Sequence, residues 1–174
     1  IKSSGDHLLD LINDVLDLSK IESGKIELSL EPLDAERTVH ESLTLVQPLA
    51  DDRGIAVAVR NPVPDGLQVL ADKGRVKQIL LNLLSNAVKY NRENGTVTLN
   101  AVETETGLLR ISITDAGPGI PADRHHEVFR PFSRLGMEGS NIEGTGIGLT
   151  ISRQLVESMG GSLDFDSGAG EGST

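Results

Sequence analysis

Two glycine clusters enclose a long stretch of the chain that follows neither a helical nor a strand pattern. The first cluster is DAGPGI (residues 115–120), the second is GTGIGL (residues 144–149), and VFRPFSRLG (residues 128–136) lies between them. Loops of this length inside a compact domain are usually either functional or disordered. The stretch therefore predicts a functional loop, and the rest of the chain must form a domain that holds its two ends.

The residues on either side of this loop predict a strand before it and a helix after it. Ile111 and Ile113 alternate with polar residues, which is typical of a half-buried strand that ends at Asp115. From Leu149 to Met159 the apolar residues recur at helical spacing. Glycines just before a helix allow a ligand to approach the backbone, and the free amides of the first helical turn favour phosphate. We therefore interpret the loop as a lid over a nucleotide.

A predicted helix upstream of the loop places polar residues on one of its faces. Within QILLNLLSNAVKYN, residues 78–91, Asn82, Asn86 and Lys89 lie at i, i+4 and i+7, so two amides and an ammonium group share one face. Amide oxygens suit a hard cation such as Mg²⁺, and lysine binds phosphate as a point charge. On its own, such a face is more often an ordinary solvated surface. The other side of the helix can be buried because it carries Leu80, Leu81, Leu84 and Val88.

The remaining segments alternate between predicted strands and helices. Asp34 and Asp72 each precede a predicted helix and are suited to cap its N-terminus, while Pro32 is expected to end the first strand. Because strands and helices mix without a regular βαβ alternation, the pattern favours a two-layer α/β sandwich over a Rossmann fold. Strands are predicted at residues 25–30, 55–59, 67–70, 95–101 and 108–114, and a further strand begins at residues 162–165.

The order and separation of these segments resemble the asparagine box, first glycine box, phenylalanine box and second glycine box of sensor histidine kinases. The resemblance extends over residues 5–174. It implies the ATP-binding fold that sensor histidine kinases share with gyrase, Hsp90 and MutL. This Bergerat-type fold is an α/β class fold, a two-layer sandwich with a mixed sheet and an ATP lid, and here one long helix would precede it.

The resemblance assigns contacts with ATP and Mg²⁺ to particular residues. Asp115 would accept a hydrogen bond from the adenine amino group, although a turn-forming aspartate is the alternative for this residue taken alone. Asn86 would bind Mg²⁺, Asn82 would contact the metal or a phosphate, and Lys89 would meet the phosphates. Phe129 and Phe132 would anchor the lid by packing on the domain. The other expected contacts with ATP are Tyr90, which could instead have a packing role, and Gly117, Gly119, Ile120, Phe132, Arg134, Gly144, Thr145, Gly146, Ile147, Gly148 and Leu149.

The N-terminal residues predict an amphipathic helix with a broad apolar stripe. Residues 1–23 resemble the second helix of the kinase dimerisation domain, which implies a homodimer through a helical bundle in the intact protein. A helix packed on its own domain is the alternative. Residues 24–174 would then form the catalytic ATP-binding domain, with its last strand cut short. The apolar stripe consists of Leu8, Leu9, Leu11, Ile12, Val15, Leu16 and Leu18.

No histidine of the chain matches the phosphoacceptor of this family. The acceptor lies on the first dimerisation helix and precedes an acidic residue, whereas His7 precedes leucine. His40, His125 and His126 are expected to be ordinary surface or packing histidines. The chain is therefore expected to bind ATP and to transfer its γ-phosphoryl group to a histidine located outside residues 1–174. A response-regulator receiver domain would then receive the phosphoryl group on an aspartate.

Two other functions fit parts of the sequence. An ATP-hydrolysing machine of the gyrase, Hsp90 and MutL type would carry a water-activating glutamate one helical turn before the metal-binding asparagine, where this chain has Asn82. A nucleotide-binding module without kinase activity is the other alternative, although all the nucleotide boxes are present. Transfer of phosphate to a supplied dimerisation domain would separate a kinase from such a module.

Composition restricts the classes of partner. The net charge of −10 argues against nucleic acid, since nucleic-acid binders usually carry a basic surface. The absence of cysteine excludes disulfides and thiol catalysis. The sequence has neither an apolar run of about 18 residues nor a signal-peptide pattern. We therefore expect a cytoplasmic segment without direct membrane contact, which could belong to a membrane-anchored parent protein.

Overall fold

The structure is a computed structural model that describes residues 12–13, 15–21, 23, 26–135 and 144–174. The predictions that concern His7, Leu8, Leu9 and Leu11 lie outside the described residues. Helical residues 12–13 and 15–21 form α1. The other elements are β1 (Glu31–Asp34), α2 (Ala35–Asp52), β2 (Ala56–Asn61), β3 (Gln68–Ala71), α3 (Lys73–Lys89), β4 (Thr96–Glu103), β5 (Leu109–Asp115), a 3-10 helix (Ala122–Glu127), α4 (Gly148–Ser158), β6 (Ser167–Gly168) and β7 (Gly172–Ser173).

The strands form a five-stranded mixed sheet and a separate two-stranded sheet. The larger sheet has the order β2-β4-β5-β7-β6, with β2 parallel to β4 and the other pairs antiparallel. Strands β1 and β3 pair antiparallel beside it. Helices α2 and α3 pack on one face of the larger sheet through shared apolar clusters. The predicted two-layer α/β sandwich with a mixed sheet is therefore confirmed.

The core lies between these two helices and the inward face of β4. Val97, Leu99 and Ala101 alternate along β4 and are at most 4% exposed, as the two-residue period of a strand requires. Helix α3 meets them with the apolar side that the sequence predicts. Leu80, Leu84 and Val88 are buried there, and Leu81 is partly buried against the same core. The polar side of α3 is consequently turned away from the core.

Both predicted helix caps are present. Asp34 Oδ1 accepts a hydrogen bond from the backbone N–H of Arg37 at 2.9 Å. Asp72 Oδ1 accepts one from the N–H of Arg75 at 3.0 Å, and its Oδ2 accepts one from the N–H of Ser29, also at 3.0 Å. The bond from Ser29 is the main cause that lowers the pKa of Asp72. Asp72 therefore fixes the start of α3, which carries the polar face.

Two strands lie at positions that differ from the prediction. The first strand forms at Glu31–Asp34, after the predicted residues 25–30, and it contains Pro32 opposite Leu70. Proline is tolerated there because a strand of a two-stranded sheet has an open edge, where no N–H is needed. The strand predicted at residues 162–165 is also absent, and β6 begins at Ser167. Phe165 instead packs its ring against aromatic residues of the loop that precedes α4.

Helix α1 packs one side against the sandwich. Leu18 is 7% exposed and lies in a cluster with Ile79 of α3 and Ile151 of α4. Asp17 Oδ2 accepts hydrogen bonds from Arg75 and Gln78, each at 3.0 Å. Ile21 is partly buried against the same cluster, whereas Ile12, Val15 and Leu16 of α1 are exposed. Across the described ranges, no helix is both long enough and apolar enough to cross a membrane.

Candidate nucleotide-binding site

Asp115 is the last residue of β5, as the sequence predicts. Its Oδ1 accepts a hydrogen bond from the N–H of Gly117 at 2.8 Å, so the side chain also shapes the turn that follows it. The residue is half-buried, and this burial raises the pKa of Asp115, while hydrogen bonds from Gly117 and Ser173 act in the opposite direction. The strand end thus presents a partly desolvated carboxyl group, which can recognise a hydrogen-bond donor of a ligand.

The first glycine cluster lies against the C-terminal end of α3. A Cβ on Gly117 would be 2.3 Å from the carbonyl oxygen of Tyr90, and a Cβ on Gly119 would be 1.8 Å from the carbonyl oxygen of Gly168. Gly119 also has a φ of +67°, which other residues rarely adopt. The glycines are therefore required by close backbone approaches, one of which brings the turn after Asp115 next to Tyr90.

The backbone of Ile120 is held on both sides. Its N–H donates a hydrogen bond to Ser167 Oγ at 2.8 Å, and its carbonyl oxygen lies 3.0 Å from His125 Nε2. Ser167 Oγ in turn donates to the carbonyl of Gly172 at 2.8 Å. The β6–β7 hairpin thereby fixes the first glycine cluster. No local sequence pattern indicates Ser167, because its partner lies 47 residues away in the sequence.

The predicted polar face of α3 is formed by the C-terminal half of that helix. Asn86 Nδ2 donates to Asn82 Oδ1 at 3.4 Å, and Asn82 Nδ2 donates to Ser152 Oγ of α4 at 2.9 Å. Lys89 is half-buried at the end of the helix, and its carbonyl oxygen accepts a hydrogen bond from Arg53 at 2.9 Å. The two amides are therefore neighbours, and Ser152 is a residue that the sequence analysis missed. The only signal for it was its position one helical turn after Gly148.

The second glycine cluster meets both Asn82 and Tyr90. A Cβ on Gly148 would lie 2.3 Å from Asn82 Oδ1, and a Cβ on Gly144 would lie 3.3 Å from the hydroxyl oxygen of Tyr90. Tyr90 therefore stands between the two glycine clusters, with its carbonyl facing one and its hydroxyl facing the other. This arrangement brings the predicted adenine side and the predicted phosphate side of the site together around the end of α3.

The other residues of the second cluster have different surroundings. Ile147 is fully buried, and its N–H donates to Thr145 Oγ1 at 3.2 Å. Its side chain therefore belongs to the core, so only its backbone is available for a ligand. Leu149 is half-buried in the first turn of α4, where the helix begins at Gly148.

The two phenylalanines of the loop behave differently. Phe129 lies 5.7 Å from the ring of Phe165, with the guanidinium of Arg153 4.7 Å above it, so this predicted anchor is confirmed. Phe132 is 61% exposed, and its prediction as a packing anchor is wrong. It has a φ of +64°, and its N–H donates to the carbonyl of Gly146 at 2.9 Å, so the backbone makes the attachment and the ring points outward. Arg134 follows as a half-buried residue.

The arrangement is that of a nucleotide-binding α/β sandwich, in which a strand-end carboxyl group and a helix-borne amide and lysine face are joined by glycine-rich segments. The chain belongs to the family described as histidine kinase-, DNA gyrase B- and HSP90-like ATPases, whose sequence model matches residues 71–174. Within that family it is a catalytic ATP-binding domain of the sensor histidine kinase type. The resemblance that the four boxes indicate is therefore confirmed.

Individual relatives agree with this assignment. The chain is 40% identical over 175 residues to the histidine protein kinase DivJ of Caulobacter vibrioides, and the match covers 100% of the chain and 29% of DivJ. It is 40% identical over 176 residues to the circadian input-output histidine kinase CikA of Synechococcus elongatus, covering 100% of the chain and 23% of CikA. The crystal structure of full-length ShkA in complex with AMPPNP matches 98% of the chain and 35% of ShkA, with a TM-score of 0.83 and 39% identity. The chain therefore corresponds to a minor part of these longer proteins.

Proposed function

We propose that this chain binds ATP with Mg²⁺ and transfers the γ-phosphoryl group to a histidine of a dimerisation domain, as part of a two-component sensor kinase. The observation that carries the proposal is the position of Tyr90 between the two glycine clusters, because it joins the Asp115 side of the site to the Asn86 side. The names of DivJ and CikA, both histidine kinases, support the reaction. A response-regulator receiver domain would accept the phosphoryl group from the histidine.

The chemistry requires positioning and charge neutralisation more than a protein base. A neutral imidazole nitrogen attacks the γ-phosphorus, the bond to the β,γ-bridging oxygen breaks, and ADP leaves with that electron pair while the imidazole proton passes to solvent. Phosphoryl transfer of this kind depends mainly on alignment and on compensation of negative charge. Asp115 would hold the adenine, and Lys89 with the backbone amides of the second glycine cluster would hold the phosphates.

The donor groups fit Mg²⁺ bound together with the nucleotide. Amide oxygens such as that of Asn86 are suitable ligands for a hard cation, which usually keeps water and phosphate oxygens as its other ligands. Among the described residues, no group of three or more histidine, cysteine, aspartate or glutamate side chains could hold a metal ion by itself. The metal would compensate the negative charge of the phosphates, and Asn86 would be its protein ligand, with Asn82 beside it.

The same face argues against ATP hydrolysis. The residue one turn before Asn86 is Asn82, an amide that cannot take a proton from water, and its Nδ2 is bonded to Ser152. At this position the chain therefore lacks the general base that an ATP-hydrolysing machine of the gyrase type would use.

Nucleotide binding is tested by calorimetric titration of ATP and ADP, with Mg²⁺, into the wild type and the Asp115→Asn variant. We expect Asp115→Asn to weaken binding by about 10-fold or more, since a hydrogen bond to a charged group contributes about 1.5–3 kcal/mol. Asp164→Asn is the matched control, because Asp164 is exposed and distant in sequence from both glycine clusters. Equal affinities for wild type and Asp115→Asn would contradict the adenine assignment.

Phosphoryl transfer is tested by mixing the chain with a separate dimerisation domain that carries the acceptor histidine, using ATP labelled at the γ-position. We expect label on the added domain only when both proteins and Mg²⁺ are present. Binding without transfer would identify a nucleotide-binding module, and release of labelled phosphate by the chain alone would identify an ATPase.

A further inference from the structure

We propose that Ser152 of α4 is a positioning residue for the Mg²⁺ and phosphate end of the site, because it orients Asn82 and, through Asn82, the metal ligand Asn86. The inference rests on the proposed function and adds to it a residue outside the sequence boxes. It also gives Asn82 a specific role, which is to direct Asn86 and not to bind the metal itself.

The contact between Ser152 and Asn82 is partly buried and joins two helices. Ser152 is 2% exposed, and its Oγ accepts the hydrogen bond from Asn82 Nδ2 at 2.9 Å across 70 residues of sequence. Buried polar groups in folded proteins are nearly always hydrogen-bonded, and loss of the partner would leave the half-buried amide of Asn82 partly desolvated without this bond. This bond therefore holds the amide group of Asn82 against α4, with its Nδ2 directed to Ser152.

The orientation of one amide determines that of the next. With Nδ2 of Asn82 directed to α4, its Oδ1 lies on the opposite side of the amide plane, where it accepts a hydrogen bond from Asn86 Nδ2 at 3.4 Å. That bond turns Asn86 Oδ1 away from Asn82. In the part of the chain that the structure describes, no hydrogen-bond donor meets Asn86 Oδ1. The amide oxygen that remains available for a cation is thus the one on Asn86.

The same face of α4 approaches Asn82 a second time. Gly148 lies one turn before Ser152, and a Cβ on Gly148 would be 2.3 Å from Asn82 Oδ1. Only glycine leaves room there for the amide to lie between the two helices. Gly148 leaves space for the side chain of Asn82, and Ser152 forms a hydrogen bond with it. The second glycine cluster is therefore held in a defined position relative to the Asn86 side chain. Asp115 takes no part in these contacts.

The test compares the affinity for ADP in the presence of Mg²⁺ with the affinity for ADP in the presence of EDTA, for each variant. The dissociation constant in EDTA divided by the dissociation constant in Mg²⁺ measures how strongly the binding of the metal and the binding of the nucleotide are coupled. We expect Ser152→Ala to reduce this ratio by about 5-fold, which corresponds to the loss of one orienting hydrogen bond. Affinity for metal-free ADP should change by less than about 2-fold, because the adenine contacts are intact.

Four further variants separate positioning from general damage. Asn82→Ala should reproduce the effect, and Ser152→Ala should add nothing to it in the double variant, since both act through the same contact. Ser158→Ala is the control on α4, because Ser158 is exposed and its Oγ bonds only to the carbonyl of Gln154 in the described structure. Ser152→Thr keeps the hydroxyl group and should restore the ratio.

The outcomes distinguish this inference from the proposed function. An unchanged ratio in Ser152→Ala, or an equal loss of affinity with and without Mg²⁺, would overturn the positioning role. Additive effects of Ser152→Ala and Asn82→Ala would overturn it as well. Failure of the wild type to bind ADP would overturn the proposed function, and the inference with it.

Discussion

The carbonyl oxygen of Tyr90 lies so close to Gly117 that a Cβ on this glycine would be 2.3 Å from it. This approach connects the end of α3 with the turn after β5. It is a backbone contact, so no change of rotamer in Tyr90 can relieve an added methyl group at Gly117. The distance between Asp115 and the polar face of α3 is consequently set by the absence of a side chain at this position.

Gly117→Ala should therefore lower both stability and affinity for nucleotide. The overlap with the backbone is expected to destabilise the fold by about 1–3 kcal/mol, as other cases of overpacking do. Gly74→Ala is the matched control, because Gly74 lies in a helix and a Cβ there would make an ordinary contact of 3.4 Å. The control should stabilise the protein by up to about 1 kcal/mol. Urea unfolding measures both changes, and equal effects of the two substitutions would contradict the steric argument.

Asp115→Asn should weaken nucleotide binding without lowering the stability of the fold. Because burial raises the pKa of Asp115, its contribution to stability is fully present below the unfolded-state pKa of about 3.9 and is lost as the pH rises through the higher folded-state value. At about pH 7 the neutral amide should thus give a protein at least as stable as the wild type, while nucleotide binding is weaker. Thermal unfolding and ADP titration measure the two effects, and a marked loss of stability in the variant would contradict this prediction.

The dependence of binding on pH provides an independent check on the same carboxyl group. Wild-type affinity for ADP should decrease as the pH is lowered toward the raised pKa of Asp115, because protonation turns the carboxylate into a weaker acceptor for the adenine amino group that we propose it binds. Asp115→Asn should not show this decrease. If both proteins show the same dependence on pH, another group is responsible.

Asp72→Ala should destabilise the protein by about 1 kcal/mol at neutral pH, since it removes the N-cap of α3. Hydrogen bonds, first of all that from Ser29, lower the pKa of Asp72, so its contribution is present above the unfolded-state pKa of about 3.9 and is lost as the pH falls through the lower folded-state value. The difference in the free energy of unfolding between wild type and Asp72→Ala, measured by urea unfolding, should therefore become smaller in acid. Asp65→Ala, in an exposed turn, is the control. A difference in the free energy of unfolding that does not change with pH, or an equal destabilisation by Asp65→Ala, would argue against a capping role for Asp72.

The parts of the fold that could be predicted from the sequence depend on local patterns. The end of β5 at Asp115 follows from the alternation of apolar residues, and the shared face of Asn82 and Asn86 follows from helical spacing. The caps at Asp34 and Asp72 are likewise set by residues within one turn. These features require no knowledge of the tertiary structure, and all of them are confirmed.

The features that could not be predicted depend on contacts between distant residues. Ser152 reaches Asn82 across 70 residues and Ser167 reaches Ile120 across 47, and nothing in the local pattern distinguishes either serine from an ordinary one. Pro32 remains within a strand because the pairing with β3 leaves an edge open, which only the sheet topology reveals. The outward direction of Phe132 follows from a positive φ, which cannot be read from residue type.

Ser167→Ala should weaken the attachment of the first glycine cluster to the β6–β7 hairpin. The substitution removes the acceptor of the Ile120 N–H and the donor to the Gly172 carbonyl. We expect a loss of stability of about 1–2 kcal/mol and weaker binding of ADP even in EDTA, because the affected segment contains the proposed adenine contacts and not the proposed metal ligand. Ser162→Ala, at an exposed position, is the control. A change confined to measurements with Mg²⁺ would contradict this assignment.

Phe165→Ala should have a larger effect than Phe132→Ala, although Phe132 belongs to the phenylalanine box and Phe165 does not. The ring of Phe165 lies 5.7 Å from that of Phe129 and 5.0 Å from that of His125, so its removal eliminates two edge contacts that attach the loop to the segment before β6. Each aromatic pair is expected to contribute about 0.5–1.5 kcal/mol beyond its buried area. Phe132 is 61% exposed, and its replacement should change stability by less than about 0.5 kcal/mol. Urea unfolding of the two variants decides the question, and a greater loss in Phe132→Ala would show that its ring, and not its backbone, attaches the loop.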